Sequence, residues 1–200
     1  MTNTGVVMWL TGLSGSGKTT IAAALRTKLM GRGRAQVALL DGDELRAALS
    51  PELGFTKEDR QRHIGRIAYL ASVLARHGVD VIVAVISPYR EMRAAARAQI
   101  ADFLEVFVEC PLERCIERDP KGLYRKALAG EIARFTGVSD PYEVPEAPEV
   151  TVHTDGASVQ ACVQVVLDAL VARGHLAPDG AYSPREEAEV LQRLEALGYV

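Results

Sequence analysis

Short apolar runs alternate along the chain with segments in which apolar residues recur every three or four positions. The runs have strand length and end at turn residues; they cover residues 6–10, 36–40, 79–86, 103–109 and 149–154. The helical segments between and after them cover residues 20–30, 57–77, 91–100 and 159–172. Apolar strands that alternate with amphipathic helices are typical of parallel sheets covered on both faces. The pattern therefore predicts an α/β fold, a five-stranded parallel sheet with helices on both faces.

Three further segments have weaker signals. Residues 44–49 and 111–117 are predicted to form short helices. Residues 121–148 combine lysines and arginines with many glycines and prolines, which favours a mobile lid. A solvated charged loop would have the same composition, so that alternative stays open.

Length and composition suit one main domain. The chain has 200 residues, 48% of them hydrophobic, enough to bury one core. We expect the main domain to comprise residues 1–174, followed by a linker and an accessory helix in residues 175–200. The sequence Ser183-Pro184-Arg185-Glu186 is a capping box, with proline at the first helical position, for a helix over residues 183–197.

Charge and cysteine content narrow the classes of function. A net charge of −3 leaves no basic surface for nucleic acid, so we expect no nucleic-acid partner. The chain has 3 cysteines without C-x-x-C spacing, which indicates neither a disulfide framework nor a zinc site and favours the cytoplasm. The longest apolar run, residues 81–86, is too short to span a bilayer, so we expect no membrane partner.

The strongest motif follows the first predicted strand and opens the first predicted helix. Gly12-Leu13-Ser14-Gly15-Ser16-Gly17-Lys18-Thr19 fits the phosphate-loop pattern G-x-x-x-x-G-K-[ST]. The glycines let backbone N–H groups converge on a polyphosphate at the helix N-terminus. Lys18 would add a cation for the β and γ phosphates, and the Thr19 hydroxyl would bind Mg²⁺. The motif predicts binding of a nucleoside triphosphate.

The rest of the chain favours a small-molecule kinase among phosphate-loop proteins. It has no N-K-x-D guanine signature and is too short for most motor ATPases. Asp41 and Asp43 end the second predicted strand, where a carboxylate could bind magnesium or accept a hydroxyl proton, although Asp43 could instead cap the next helix.

Four side chains suggest what the acceptor looks like. They are Arg46, Arg60, Phe55 and Phe135. Arginines grip phosphate or sulfate, and aromatic faces stack on a base, so together they indicate an acceptor with an anionic group and a flat ring. For either phenylalanine, core packing is the alternative.

Several stretches resemble the adenylyl-sulfate kinase family. They are the phosphate loop with Thr20, Asp41-Gly42-Asp43, Leu53-Gly54-Phe55, Asp59-Arg60, Ile86-Ser87-Pro88, Arg118-Asp119, Lys121-Gly122-Leu123-Tyr124, Gly130-Glu131-Ile132, Phe135-Thr136-Gly137 and Asp140-Pro141-Tyr142-Glu143. The resemblance implies a three-layer P-loop kinase fold. It also implies phosphorylation of the 3′-hydroxyl of adenylyl sulfate (APS) by ATP, which yields 3′-phosphoadenylyl sulfate (PAPS) and ADP in sulfate assimilation, with Mg²⁺, a cytoplasmic location and a homodimer.

The resemblance also assigns roles to residues. ATP would bind at Gly12, Leu13, Ser14, Gly15, Ser16, Gly17, Lys18, Thr19, Thr20 and Arg118. The acceptor would bind at Asp43, Arg46, Phe55, Arg60, His63, Ile86, Ser87, Lys121 and Phe135, with the two phenylalanines on either side of its adenine. Lys18, Asp43 and Ser87 would act in catalysis, and Thr19 and Asp41 at the metal. A serine at position 87 has been proposed in the family to carry phosphate; we expect Ser87 to position the acceptor instead, because in-line transfer needs no covalent relay.

Two positions depart from the family pattern D-R-x-x-N-I-R-R. His63 stands where the family has an asparagine that contacts the acceptor, and Gly65 replaces an arginine. We expect asparagine at position 63 to be neutral or to improve acceptor binding, because an amide can donate and accept at once. Two alternatives therefore remain: a kinase of the same fold for another nucleotide-like acid, and a non-catalytic ATP-binding regulatory module.

Overall fold

A computed structural model describes residues 4–178, together with Gln192, Arg193 and Glu195. Within these residues five strands form one sheet: β1 (Val7–Thr11), β2 (Val37–Asp41), β3 (Asp80–Ala84), β4 (Phe103–Glu109) and β5 (Val150–His153). The order across the sheet is β2-β3-β1-β4-β5, and each neighbouring pair is parallel. The predicted five-stranded parallel sheet is confirmed.

Helices connect the strands and cover both faces of the sheet. They are α1 (Lys18–Gly31), α2 (Gly42–Leu49), α3 (Lys57–Arg76), α4 (Arg90–Gln99), α5 (Leu112–Arg118), α6 (Leu123–Leu128) and α7 (Val159–Ala172). Two helices begin two residues earlier than predicted: α1 starts directly after Gly17, and α2 starts at Gly42. In the part of the chain that is described, no helix is long and apolar enough to cross a membrane.

Alternation along the central strand separates two cores. Met8 and Leu10 of β1 pack with α1 and α7, whereas Val7 and Trp9 pack with α3 and α4. All four side chains are fully buried, since β1 has a hydrogen-bonded strand on each side and helices above and below. Burial on both faces explains why the strands read as continuous apolar runs rather than as alternating ones.

The carboxyl ends of the strands carry the site. β3 ends at Ala84, two residues before the predicted end at 86. The chain then turns through Ser87, which has φ 38°, and Pro88, which has no N–H for the ladder. This corner lies beside the phosphate loop, because β3 neighbours β1.

The segment predicted as a lid contains helix α6 and is docked against the body. Tyr124 is 1% exposed, and its hydroxyl donates a hydrogen bond to the Ser14 carbonyl at 3.0 Å. Within the same segment, backbone hydrogen bonds close a turn over Phe135–Asp140. Motion of this segment stays a prediction.

Packing continues past Gly174, where the sequence predicts that the main domain ends. The buried Asp80 carboxylate accepts hydrogen bonds from the Val6 N–H at 3.2 Å and from Arg34 at 2.5 and 2.6 Å. Arg34 also donates to the His175 carbonyl, and Leu176 is only 9% exposed. The helix predicted over residues 183–197 lies outside the described residues apart from Gln192, Arg193 and Glu195, which are helical.

Removal of core volume should destabilise the fold without touching the site. Leu104 of β4 is fully buried, so Leu104→Ala should lower the free energy of unfolding by about 2–5 kcal/mol. The control, Val165→Ala, truncates a side chain on α7 that is 46% exposed. It should change the free energy of unfolding by less than about 0.5 kcal/mol. Urea unfolding of both variants measures the difference; equal losses would contradict the assigned core.

Candidate active site

The phosphate loop connects β1 to α1, and its shape depends on glycine. Gly12, Gly15 and Gly17 all have positive φ, at 151°, 73° and 100°. A Cβ on Gly12 would lie 2.5 Å from the Val108 carbonyl oxygen, so the loop passes too close to β4 for a side chain. The backbone N–H groups of the first turn of α1 are thereby presented to the cavity.

Lys18 is buried without a carboxylate against its ammonium group. Its Nζ donates hydrogen bonds to the carbonyls of Gly12 at 2.9 Å and Leu13 at 2.6 Å. Burial lowers the pKa of Lys18 to about 8, although the charges of Asp43 and Asp41 partly oppose that shift. A polyanion on the loop would supply the missing negative charge.

Asp41 connects the loop to helix α2. One carboxylate oxygen accepts a hydrogen bond from the Thr19 hydroxyl at 2.9 Å, and the other accepts from the Asp43 N–H at 2.9 Å. Asp41 is therefore the N-cap of α2, and the alternative in which Asp43 caps this helix is wrong. The reason is that α2 begins two residues earlier than the sequence predicts.

Asp43 is left free to face the cavity. Its carboxylate forms an ion pair with Lys121, and both side chains are more than half exposed. The carboxylate raises the pKa of Lys121, which keeps the ammonium charged. The pair joins helix α2 to the predicted lid segment across the cavity.

Arg118 and Thr154 brace the outer side of the phosphate loop. Arg118 donates to the Thr154 carbonyl at 2.6 Å and to the Gly15 carbonyl at 3.4 Å. The Thr154 hydroxyl donates to the Ser16 carbonyl at 2.9 Å. The loop is thus tied to the segment that follows β5.

A second subsite contains the predicted aromatic and arginine residues. Phe55 is 52% exposed, with the guanidiniums of Arg46 and Arg60 at 4.8 and 5.6 Å from its ring centroid. Arg60 donates to the Phe55 carbonyl at 3.1 Å and to the Arg134 carbonyl at 2.5 Å. Phe135 packs edge-on against Tyr124, with the ring centroids 5.0 Å apart, as the core-packing alternative predicts. It also lines the cavity, so its predicted stacking on an acceptor base stays a prediction.

Both subsites open into one cavity of about 1170 Å³. Seventeen of the twenty predicted site residues are found there, since the cavity is lined by Ser14, Gly15, Gly17, Lys18, Thr19, Thr20, Asp41, Asp43, Arg46, Phe55, Arg60, His63, Ile86, Ser87, Arg118, Lys121 and Phe135 among others. Gly12, Leu13 and Ser16 do not line it. They lie on the side of the loop that faces the protein interior: Gly12 and Ser16 are buried, and Leu13 packs near Cys115.

Ser87 lies at the cavity wall with its hydroxyl directed into the protein. Its Oγ donates to Thr11 Oγ1 at 3.0 Å and accepts from the Trp9 indole N–H at 3.1 Å, and the residue is 1% exposed. The structure therefore does not place this hydroxyl as a nucleophile. Any effect of Ser87 on an acceptor would act through the backbone of the corner.

His63 also differs from its expected role. Its Nδ1 lies 3.0 Å from Ser50 Oγ and its Nε2 lies 3.2 Å from the Gly42 carbonyl oxygen. Burial, followed by the charge of Arg46, lowers the pKa of His63 to about 4, so the ring is neutral near pH 7. Both ring nitrogens have protein partners, which corrects the expected direct contact with an acceptor. A Cβ at Gly65 would meet nothing within 4 Å, so packing gives no reason for glycine there.

Arg93 supports the wall of the site from behind, a role that the sequence reasoning missed. It is 3% exposed and donates to the Ser87 carbonyl at 2.7 Å and to the Glu143 carbonyl at 2.6 Å. Its Nε pairs with Glu105 at 2.8 Å. Arg93 thereby fixes the strained Ser87 corner. The available signal was its helical spacing with the buried Ala96, which places an arginine on the buried face of α4.

The fold and the two-part cavity define the class: the protein is a P-loop kinase for a small-molecule acceptor. Sequence comparison narrows that class, because a model described as adenylylsulphate kinase matches residues 4–153. The chain belongs to the adenylyl-sulfate kinase family, as its motifs indicate.

Individual relatives agree with this assignment. An adenylyl-sulfate kinase from Myxococcus xanthus is 53% identical over 176 residues, which cover 86% of this chain and 94% of the relative. The structure of the Mycobacterium tuberculosis APS kinase in complex with AMPPNP and APS superposes with a TM-score of 0.80 at 44% identity, covering 84% of this chain and 98% of that one. The hexameric APS kinase from Thiobacillus denitrificans has a TM-score of 0.67 at 35% identity, covering 88% of this chain and 30% of that one.

The lowered pKa of Lys18 predicts a pH-dependent affinity for ATP. Bound phosphates raise this pKa, so binding takes up a proton wherever free Lys18 is neutral, and affinity falls as pH rises above about 8. Titration calorimetry in buffers of different ionisation enthalpy should show uptake of a large fraction of one proton near pH 8.5 and little near pH 7.

Lys18→Arg provides the control, because arginine stays charged throughout this range. It should abolish the uptake even if the affinity falls. Lys121 does not contribute, because Asp43 raises its pKa. Equal uptake at both pH values would contradict the prediction.

Proposed function

We propose that the protein transfers the γ-phosphoryl group of ATP to the 3′-hydroxyl of adenylyl sulfate, with PAPS and ADP as products, in sulfate assimilation. The observation that carries this proposal is the single cavity that joins the phosphate loop to Phe55 and its two flanking arginines. Its volume suits two nucleotides, and the related Mycobacterium tuberculosis enzyme binds AMPPNP and APS.

On the donor side, the phosphate loop would bind the ATP phosphates. Lys18 would turn from the carbonyls of Gly12 and Leu13 to the β and γ phosphates, where its charge is matched. Arg118 and Thr154 border the loop on the side proposed for the ATP adenine.

Thr19 and Asp41 fit a magnesium site. Both present oxygen ligands, they already lie within hydrogen-bond distance of each other, and Mg²⁺ prefers few protein oxygens with several waters. Within the described residues no cluster of three or more histidine, cysteine or acidic side chains could hold a metal. When bound, the ion would neutralise charge on the phosphates.

On the acceptor side, Phe55 would stack on the adenine, with Phe135 on the opposite face. Arg46 and Arg60 would bind the phosphosulfate group, and Lys121 and Ile86 would line the remainder of this subsite. Phe55 is exposed and flanked by two guanidiniums, which suits stacking on a base that carries an anionic group nearby.

The chemistry requires the acceptor oxygen, the γ-phosphorus and the leaving oxygen in line. The 3′-oxygen forms a bond to the γ-phosphorus while the bond from that phosphorus to the β–γ bridging oxygen breaks. The hydroxyl proton passes to the Asp43 carboxylate, once Lys121 has moved from Asp43 to an anionic group of the substrates. Lys18 then faces the charge that develops on the leaving β-phosphate.

We also propose a cytoplasmic homodimer, in which residues 1–174 form the catalytic domain and residues 175–200 are accessory. Cys110, Cys115 and Cys162 are buried free thiols, which suits a reducing compartment. Native mass measurement would test the dimer.

Phe55→Ala tests the acceptor subsite. Loss of stacking should weaken acceptor binding by about 1–3 kcal/mol and leave the KM for ATP nearly unchanged. Tyr69→Ala is the matched control, because Tyr69 is 65% exposed and lies outside the cavity. The assay follows ADP formation with adenylyl sulfate and with a panel of nucleotide acids. A strong preference for an acceptor without the phosphosulfate group would contradict the assignment of adenylyl sulfate as substrate. The protein would then be a kinase of another nucleotide-like acid.

Ser87→Ala tests whether this residue carries phosphate. Its buried hydroxyl bonds to Thr11 and Trp9, so the variant should retain acceptor-dependent turnover. Stability should fall by about 1–3 kcal/mol, because the Trp9 N–H loses its partner. Rapid-quench experiments with labelled ATP should reveal no phosphoserine in the wild type. A phosphoserine at position 87 that forms and decays at the rate of turnover would show the prediction to be wrong.

A further inference from the structure

Helix α2 carries two residues of the proposed acceptor subsite and has little packing of its own. Asp43 and Arg46 both lie on it and line the cavity. None of its eight residues is buried, and Leu45 is only partly so. A helix this short is only marginally stable by itself. Its position therefore depends on contacts from the rest of the protein.

Helix α2 is held by contacts from α3 and β2, and among the residues of α3, His63 reaches both ends of α2. Its Nε2 is 3.2 Å from the carbonyl of Gly42, the first residue of α2, and its Nδ1 is 3.0 Å from the hydroxyl of Ser50, the C-cap. His63 and Ser50 are 3% and 0% exposed. One imidazole thus spans the helix, away from water.

The hydrogen bonds define where the protons lie. A carbonyl oxygen can only accept, so Nε2 carries the ring proton and donates to Gly42. Nδ1 then accepts the Ser50 proton, while the Ser50 oxygen accepts a bond from Arg66 at 3.2 Å. Arg66 also donates to the Leu49 carbonyl at 2.6 Å, which gives the last carbonyl of α2 a hydrogen-bond partner. Both ring nitrogens and the hydroxyl have the partners that the Nε2–H tautomer needs.

We infer that His63 is a positioning residue, which as the neutral Nε2–H tautomer holds both ends of α2 and thereby sets where Asp43 and Arg46 meet the acceptor. It acts through α2 and does not bind the acceptor itself. The inference rests on the proposed function for the identity of the acceptor, adenylyl sulfate, but its geometry stands without it.

Two amide variants separate the contacts. In His63→Gln the longer side chain can place an N–H near the position of Nε2 and keep the bond to Gly42. In His63→Asn the amide reaches only the position of Nδ1 and keeps the bond to Ser50. We expect kcat/KM for adenylyl sulfate to fall in the order wild type, His63→Gln, His63→Asn, with about a three- to tenfold loss for His63→Asn, the scale of one hydrogen bond.

The KM for ATP should stay within about twofold in both variants, since His63 makes no hydrogen bond to the phosphate loop and the Thr19–Asp41 contact that connects the loop to α2 does not involve it. A purely stabilising residue would lower the unfolding midpoint without this split between the two substrates. If His63 contacted the acceptor as the family asparagine does, His63→Asn would equal or exceed the wild type, and that result overturns the inference.

Ser50→Ala keeps the inference testable even if His63→Asn fails to fold. Alone it should reduce kcat/KM for adenylyl sulfate, and it should have little further effect in His63→Gln, which has already lost the Ser50 contact. Additive losses would mean that Ser50 and His63 act separately, and would contradict the coupled arrangement.

Nitrogen-15 NMR of the histidine side chains provides a readout independent of activity. The His63 signals, identified by their loss in His63→Gln, should show a proton on Nε2 and a bare Nδ1, and should keep that tautomer when adenylyl sulfate is added. A protonated Nδ1, or a change of tautomer on addition of adenylyl sulfate, would overturn the inference. Lack of acceptor-dependent turnover in the wild type would instead reject the proposed function and leave the tautomer result valid.

Discussion

Lys18 is buried with the carbonyl oxygens of Gly12 and Leu13, rather than a carboxylate, against its ammonium group. Burial of a charge without a counter-charge is costly, and the depressed pKa of this lysine expresses that cost. The nearby structure keeps the cation in place: glycine at position 12 lets the loop pass β4, while Thr154 and Arg118 brace its outer side. The fold therefore holds a positive site that only an anion completes.

Local patterns were enough to predict the layers of the fold and the donor side of the site. The phosphate loop could be recognised because its chemistry depends on residue types within one short stretch, and the strands because burial on both faces makes them uniformly apolar. Residues whose roles depend on distant partners could not be assigned in this way. Ser87 turns inward to Trp9, and both nitrogens of His63 contact other protein groups. Each outcome depends on where a second segment lies, which the local sequence does not encode.

The acceptor subsite is coupled to the lid segment through one buried side chain. Arg60 touches the Phe55 carbonyl, the Arg134 carbonyl and, at 3.6 Å, the Asp140 carboxylate. A guanidinium that turned toward a bound phosphosulfate would have to exchange some of these partners. Acceptor binding by Arg60, as proposed, would therefore be linked energetically to the arrangement of residues 134–140.

The cluster of Arg34, Asp80, Val6 and His175 has a consequence for how this domain can be combined with others. Asp80 begins β3 and Val6 immediately precedes β1, so the cluster lies at the amino ends of the strands, opposite the cavity. The chain enters the sheet and leaves α7 at nearly the same place. A second domain joined directly to either end of residues 4–178 would start at the rear of the molecule, and substrates would still reach both halves of the cavity from the front.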